Sequence, residues 1–189
     1  MAYVVIGCRC VLAVVFAAAV GGKLRGRAAF RLFAGSLADA RLVPRRWRYP
    51  LAVSVAGAEL TTLVLLVVPG WRMPGLVAAL AVLTVLAGGI ALTLHRGIRA
   101  SCRCFGGTAE RLGPPQLLRN VVLAMVAAAG VVLSTAASAR AGQHPAGVVI
   151  ALAAGAIGGL LAVRVDDLVE LFGPRRWTAV VSGSTRPLR

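Results

Sequence analysis

The chain has 189 residues, 59% of them hydrophobic and 14% charged, with twenty-one Lys and Arg against six Asp and Glu and a formal net charge of +15. So apolar a composition excludes an ordinary soluble domain and a disordered chain, and points to a membrane protein. The positive charge does not point to nucleic acid, because no RNP box, zinc-finger spacing or basic heptad helix accompanies it.

A helix must offer about 20 mostly apolar residues to cross a hydrocarbon core of ~30 Å. The first such run spans residues 3–22, and it has neither a basic stretch before it nor a small-residue cleavage site with a polar continuation after it. It is therefore expected to be a retained span rather than a signal peptide. It carries Cys8, Arg9 and Cys10. The two thiols are either small residues packed in a transmembrane helix or an outer thiol pair. Cys10 falls about 20 Å along the helix from Lys23, near the opposite membrane face.

The stretch "KLRGRAAFRLFAGSLADARLVPRRWRYP" is too polar to cross. Phe30, Phe33 and Leu37 recur at helical spacing beside Arg31 and Arg41, so a short helix at about 28–42 is expected in the membrane interface. The second span covers residues 50–68 and contains Glu59, the one acid well inside a span. A carboxylate at that depth is costly, and it points to a functional site or to an interhelical ion pair. Lys23 and Arg119 are the basic side chains with the reach to meet it.

The third span covers residues 74–94, with Pro69-Gly70 turning the chain before it and His95 closing it. The loop that follows, 96–117, holds "SCRCFGG". A disulfide between Cys102 and Cys104 would close a small, strained ring, and a strained disulfide is labile and suited to exchange. Arg103, with Arg96 and Arg99 nearby, favours thiolate over thiol. The spacing leaves three readings open: redox exchange, a soft-metal site for Cu or Zn with thiolate ligands, or thiols without a role in a non-catalytic membrane subunit or chaperone. The fourth span covers residues 121–138, opened by Arg119-Asn120, and the fifth covers 147–163. The tail begins with an amphipathic piece, "VDDLVELFGPRRW", and ends in a polar stretch expected to be flexible. Trp47, Tyr49 and Trp71 fall at span ends, where interfacial aromatics belong.

Eight basic residues lie between spans one and two, five between spans three and four, and five from Arg164 onward; Arg72 and Arg140 stand alone in the other loops, and Arg9 is inside a span. By the positive-inside rule the N-terminus is expected outside, and the C-terminus and the C-x-C loop in the cytoplasm. One face then gathers Lys23, Glu59, His95, Cys102, Cys104, Arg119 and Asn120.

"VVFAAAVGGKL", "GAEL", "CRCFGG" and "RN" together resemble the MauE/DoxX family of redox-associated membrane proteins, from about Tyr3 to Ala137. The resemblance implies a four-helix membrane bundle that works with a thioredoxin-like partner in forming or maintaining disulfides of exported proteins, in the context of methylamine utilisation. Residue by residue it points to Lys23, Glu59, Cys102, Cys104, Phe105, Gly106, Arg119 and Asn120, with Cys8, Cys10, the fifth span and the tail outside its pattern.

The expected protein is thus an all-α, multi-pass plasma-membrane protein embedded in the lipid bilayer. A four-helix domain occupies 1–139, an added transmembrane helix 140–164 and an amphipathic, flexible tail 165–189. Cys102, Cys104, Glu59 and Lys23 are its working residues, supported by Arg103, Phe105, Gly106, Arg119 and Asn120, with Cys8 and Cys10 as a secondary pair. No motif calls for a cofactor, while a quinone or Cu/Zn remains compatible.

Overall fold

The computed structural model describes residues 1–39, 44–97, 101–102, 110–111, 114–136 and 144–172. Six helices run through it: α1 (Ala2–Leu24), α2 (Arg27–Asp39), α3 (Arg48–Val67), α4 (Arg72–His95), α5 (Pro114–Ala136) and α6 (Pro145–Phe172). Five of them, all but α2, are long and apolar enough to cross a membrane. Their outward faces carry exposed Val53, Val64, Val85, Val132 and Ile150. Apolar side chains on the outside suit lipid as solvent, with each helix closing its backbone hydrogen bonds internally. Hydroxyls inside the helices are closed the same way: Thr62, Thr84 and Thr93 each donate to the carbonyl four residues earlier, at 2.7–2.8 Å. The protein is an all-α, multi-pass membrane bundle.

Helices α1, α3, α4 and α5 form a closed ring in which each packs on the next, and α6 packs outside the ring on α1. Leu12 and Phe16 from α1, Leu66 from α3, Leu76 and Leu83 from α4, and Leu123 from α5 fill the centre. The ends of the helices follow local chemistry. Val68 is extended before Pro69, and Gly70 takes φ +90°, so the chain reverses within four residues between α3 and α4. Gly97, at φ +65°, is the left-handed residue that stops α4. Prolines stand in the first turns of α5 and α6, where a missing N–H is no loss.

Arg9, within the first span, donates from Nη2 to the carbonyl of Leu66 and to that of Val68 at 3.3 Å. These are C-terminal carbonyls of α3, which lack helical partners and carry the negative end of its dipole. A basic residue inside a span is thereby matched to a helix end.

Three differences from the sequence reading stand out. Helix α5 begins at Pro114, seven residues before the apolar run at 121, so Arg119 and Asn120 sit inside a helix instead of ahead of it. The amphipathic stretch after Val163 continues α6 as far as Phe172 and is not a separate helix. Helix α2 turns its apolar stripe inward: Phe33 and Ala34 pack with Ala52 of α3, with Phe30, Leu37 and Val55 around them. At thirteen residues it is about 20 Å long, too short to cross.

The contact between α1 and α6 fixes their relative direction. Tyr3 lies against Gly147, Cys10 against Gly155 and Val14 against Gly159, so the two helices run parallel. A parallel pair requires an even number of crossings from one to the other, which agrees with four, from span one to span five, and with α2 staying on one side. Glycines let the backbones approach closely here: a Cβ at Gly155 would stand 2.7 Å from the Cβ of Cys10 and 2.8 Å from the carbonyl oxygen of Gly7. At Gly88 of α4 a Cβ would meet nothing within 4 Å. Gly155→Ala is therefore expected to destabilise the α1–α6 contact by about 1–3 kcal/mol. Gly88→Ala should leave stability unchanged or raise it slightly. Thermal melts of the detergent-solubilised protein compare the two, and equal melting temperatures would contradict the packing described.

Candidate functional site

Buried polar side chains collect at one end of the bundle, where α1 and α4 finish and α5 begins. Lys23, Thr93, Arg119 and Asn120 lie there, and Glu59 joins them from the middle of α3 through its contact with Lys23; Thr62, one turn further along α3, and Ser36 of α2 are buried as well. Connectivity places them together: α1 and α4 run towards this end, while α3 and α5 start from it. The opposite half of the ring is mainly aliphatic, with Arg9 at the C-terminal carbonyls of α3 as its charged member.

The centre of this layer is an ion pair. Lys23 Nζ lies 2.5 Å from both carboxylate oxygens of Glu59, and each residue is only 2% exposed. Lys23 stands in the last turn of α1, where a positive charge is favoured by the helix dipole. Glu59 is eleven residues into α3, about 16 Å along it. Neither charge is tolerable alone at such a site; together, with both oxygens engaged, they form a neutral unit. Above the pair, Lys23 Nζ sits 4.7 Å from the centroid of the Phe33 ring. An ammonium has three N–H donors, and the negative face of an aromatic ring is attracted to its charge. Phe33 in turn packs at a tilt on Phe30, with ring centroids 6.4 Å apart.

Asn120 donates to the carbonyl of Gln116 at 3.0 Å, one turn back on α5. His95, expected with this group, is exposed at the end of α4, and the buried polar residue of that helix is Thr93, two positions earlier. Cys102 ends a two-residue strand, β1 (Ser101–Cys102), paired antiparallel with β2 (Glu110–Arg111), so that Cys102 faces Glu110 across the ladder. This small hairpin was not foreseen in the sequence. Strand β1 packs against α2, the helix whose Phe33 covers Lys23. Arg103, Cys104, Phe105 and Gly106 lie outside the described residues.

Cys8 and Cys10 are both free thiols. Two residues apart on a continuous helix, they point about 200° away from one another. Cys10 Sγ donates to the carbonyl of Leu152 on α6 at 3.3 Å, while Cys8 lies near Gly130 of α5. They serve different helix contacts, at the end of the bundle away from Lys23. Among the described residues, no group of three or more His, Cys, Asp or Glu side chains is placed to hold a metal ion.

The family model for the methylamine utilisation protein MauE matches residues 1–133. The chain belongs to the MauE family. The MauE match takes in the whole ring up to Leu133 of α5, together with α2 and the hairpin, and leaves α6 outside. No curated protein and no solved structure matches the chain. Within the MauE unit, the sequence had singled out both members of the ion pair but not its cover. Phe33 was visible only as part of an apolar stripe, and Thr62 only as the residue three after Glu59, on the same helix face.

The ion pair makes a stability prediction. Lys23→Met leaves a buried carboxylate unmatched and is expected to cost about 3–5 kcal/mol. Lys23→Met with Glu59→Leu removes both charges at similar volume and should recover most of that loss. Denaturation of the solubilised variants measures the difference; a double variant as unstable as the single one would mean that the unpaired charge is not the cause.

Proposed function

We propose that this MauE-family protein is a membrane thiol-redox component in which Cys102 and Cys104 exchange electrons with a thioredoxin-like partner, in support of disulfide formation or maturation of partner proteins. The observation that carries the reading is the placement of β1: the backbone at Cys102 is held in a hairpin against α2, at the end of the bundle where Lys23 and Glu59 are buried. That arrangement suits a thiol pair that must be presented to another protein from a fixed base. The family match spans the same motif.

The exchange balances without a further reactant. One thiolate of the reduced pair attacks a sulfur of the partner's disulfide, forming a mixed disulfide and releasing a partner thiolate, which takes up a proton. The second thiolate of the pair then attacks its neighbour's sulfur, closes the Cys102–Cys104 disulfide and frees the partner's other thiol. Two electrons and two protons pass to the partner, and the reverse steps oxidise it. Arg103 favours the attacking thiolate, and strain in the small ring keeps the resulting disulfide exchangeable. Phe105 and Gly106 belong to the same motif by the family resemblance, and Glu59 with Lys23 holds the bundle or moves a proton.

The reading takes residues 1–139 as the working unit and α6 as an addition to it. It sets the N-terminus outside the plasma membrane and the loop in the cytoplasm, supported by eighteen of twenty-one basic residues on one side of a five-span topology. A loop on that side meets its thioredoxin-like partner at the cytoplasmic face, and the two-electron exchange takes place there.

Labelling with a membrane-impermeant maleimide, on intact cells and on opened membranes, tests both parts. Cys102 and Cys104 are expected to label only after the membrane is opened, and more strongly after reductant. Labelling on intact cells would reverse the orientation, and labelling indifferent to reductant would count against exchange. Cys102→Ser with Cys104→Ser should abolish the cellular function; full activity in that variant would overturn the reading.

A further inference from the structure

We infer that Phe33 is a positioning residue for the C-x-C site: by seating its ring on the buried Lys23 ammonium it fixes α2, and through α2 the strand that carries Cys102. The inference rests on the thiol-exchange reading of that motif and assigns a role to a residue outside it.

Three observations join up. The Phe33 ring is 2% exposed and lies over Lys23 Nζ, which is at the same time held by both oxygens of Glu59. The cation therefore has a fixed position, set by α1 and α3, and the ring that meets it is fixed with it. Helix α2 packs on α1 and α3 along the side that bears Phe33, and it also packs against β1. It thus touches both the ammonium of the ion pair, through Phe33, and strand β1. Finally, α2 is only thirteen residues long and does not cross the membrane, so lipid-spanning length does not anchor it. Its seat on the ring of helices consists of Phe33 and Ala34 against Ala52, flanked by Phe30, Leu37 and Val55. Within that seat Phe33 makes the contact with a charge, and such a contact is directional where the aliphatic ones are not.

A purely structural Phe33 would need only its volume, whereas a positioning Phe33 needs its ring. Phe33→Leu keeps an apolar side chain of similar size and loses the ring face; Phe33→Tyr keeps the ring. The variant Lys23→Met/Glu59→Leu leaves Phe33 in place and removes the charge it sits on, in a pair whose joint replacement folds well in other proteins.

The experiment measures two things in full-length protein reconstituted in lipid: the rate of maleimide modification of Cys102 and Cys104 in the reduced state, resolved by peptide mass spectrometry, and the fraction of Cys102–Cys104 disulfide across a glutathione series. Phe33→Leu and the double variant are each expected to change the modification rate by roughly two- to thirty-fold, the range that a cation–π contact is worth. Phe33→Tyr should stay within about twofold of the parent protein. Rates unchanged in both Phe33→Leu and the double variant would overturn the inference, and so would a Phe33→Tyr rate displaced as far as that of Phe33→Leu. If Phe33→Leu does not purify as a folded protein, the double variant and Phe33→Tyr decide the matter between them. A parent protein that forms no Cys102–Cys104 disulfide anywhere in the series would remove the exchange reading, while the modification rates would still decide whether Phe33 positions the loop.

Discussion

Lys23 and Glu59 sit 2.5 Å apart inside a bundle built for lipid, and much of the arrangement around them follows from that contact. Neither charge can stay in such a place unpartnered, so α1 and α3 are locked in one register: a shift of either helix by a turn would strand a carboxylate or an ammonium. Purely apolar contacts would permit many neighbouring registers, because every outward or inward Val and Leu finds similar company one turn along. The polar pair picks out one. At the other end of the same two helices, Arg9 does comparable work by holding the last carbonyls of α3.

The bundle is consequently divided along its length. One half is filled by aliphatic side chains and Phe16, and glycines bring α6 against α1 there. The other half holds most of the buried polar residues; α2 packs there on α1 and α3, and the strand carrying Cys102 packs on α2. The residues of this polar end are held by charge and hydrogen bonding. The thiols near α1's N-terminus have no such setting; Cys10 is engaged with the backbone of α6.

Much of this was legible in the sequence. Span count, the polarity of α2, the need of Glu59 for a basic partner such as Lys23 or Arg119, and the MauE resemblance each rest on residue type and spacing, which survive without coordinates. The start of α5 is hidden in the sequence because Gln116, Arg119 and Asn120 interrupt the apolar run, and hydropathy does not distinguish a polar loop from a helix turn whose polar side chains are buried in the protein. The orientation of α2 is hidden for a related reason. An amphipathic stripe shows that a helix has an apolar face, and does not say whether lipid or protein covers it.

The sequence alone determined that the protein lives in a membrane, how many times it crosses, and that Glu59 must find a basic partner, with Lys23 and Arg119 both in reach, because burying apolar length and pairing buried charge are requirements of composition and spacing. Tertiary structure decided which helices adjoin. It closed α1, α3, α4 and α5 into a ring, set α6 parallel to α1 outside it, laid Phe33 over the ammonium of Lys23, and brought the Cys102 strand against α2. Those outcomes depend on shape matching between surfaces far apart in the chain, where one apolar face fits many others until glycine contacts and a single ion pair exclude the alternatives.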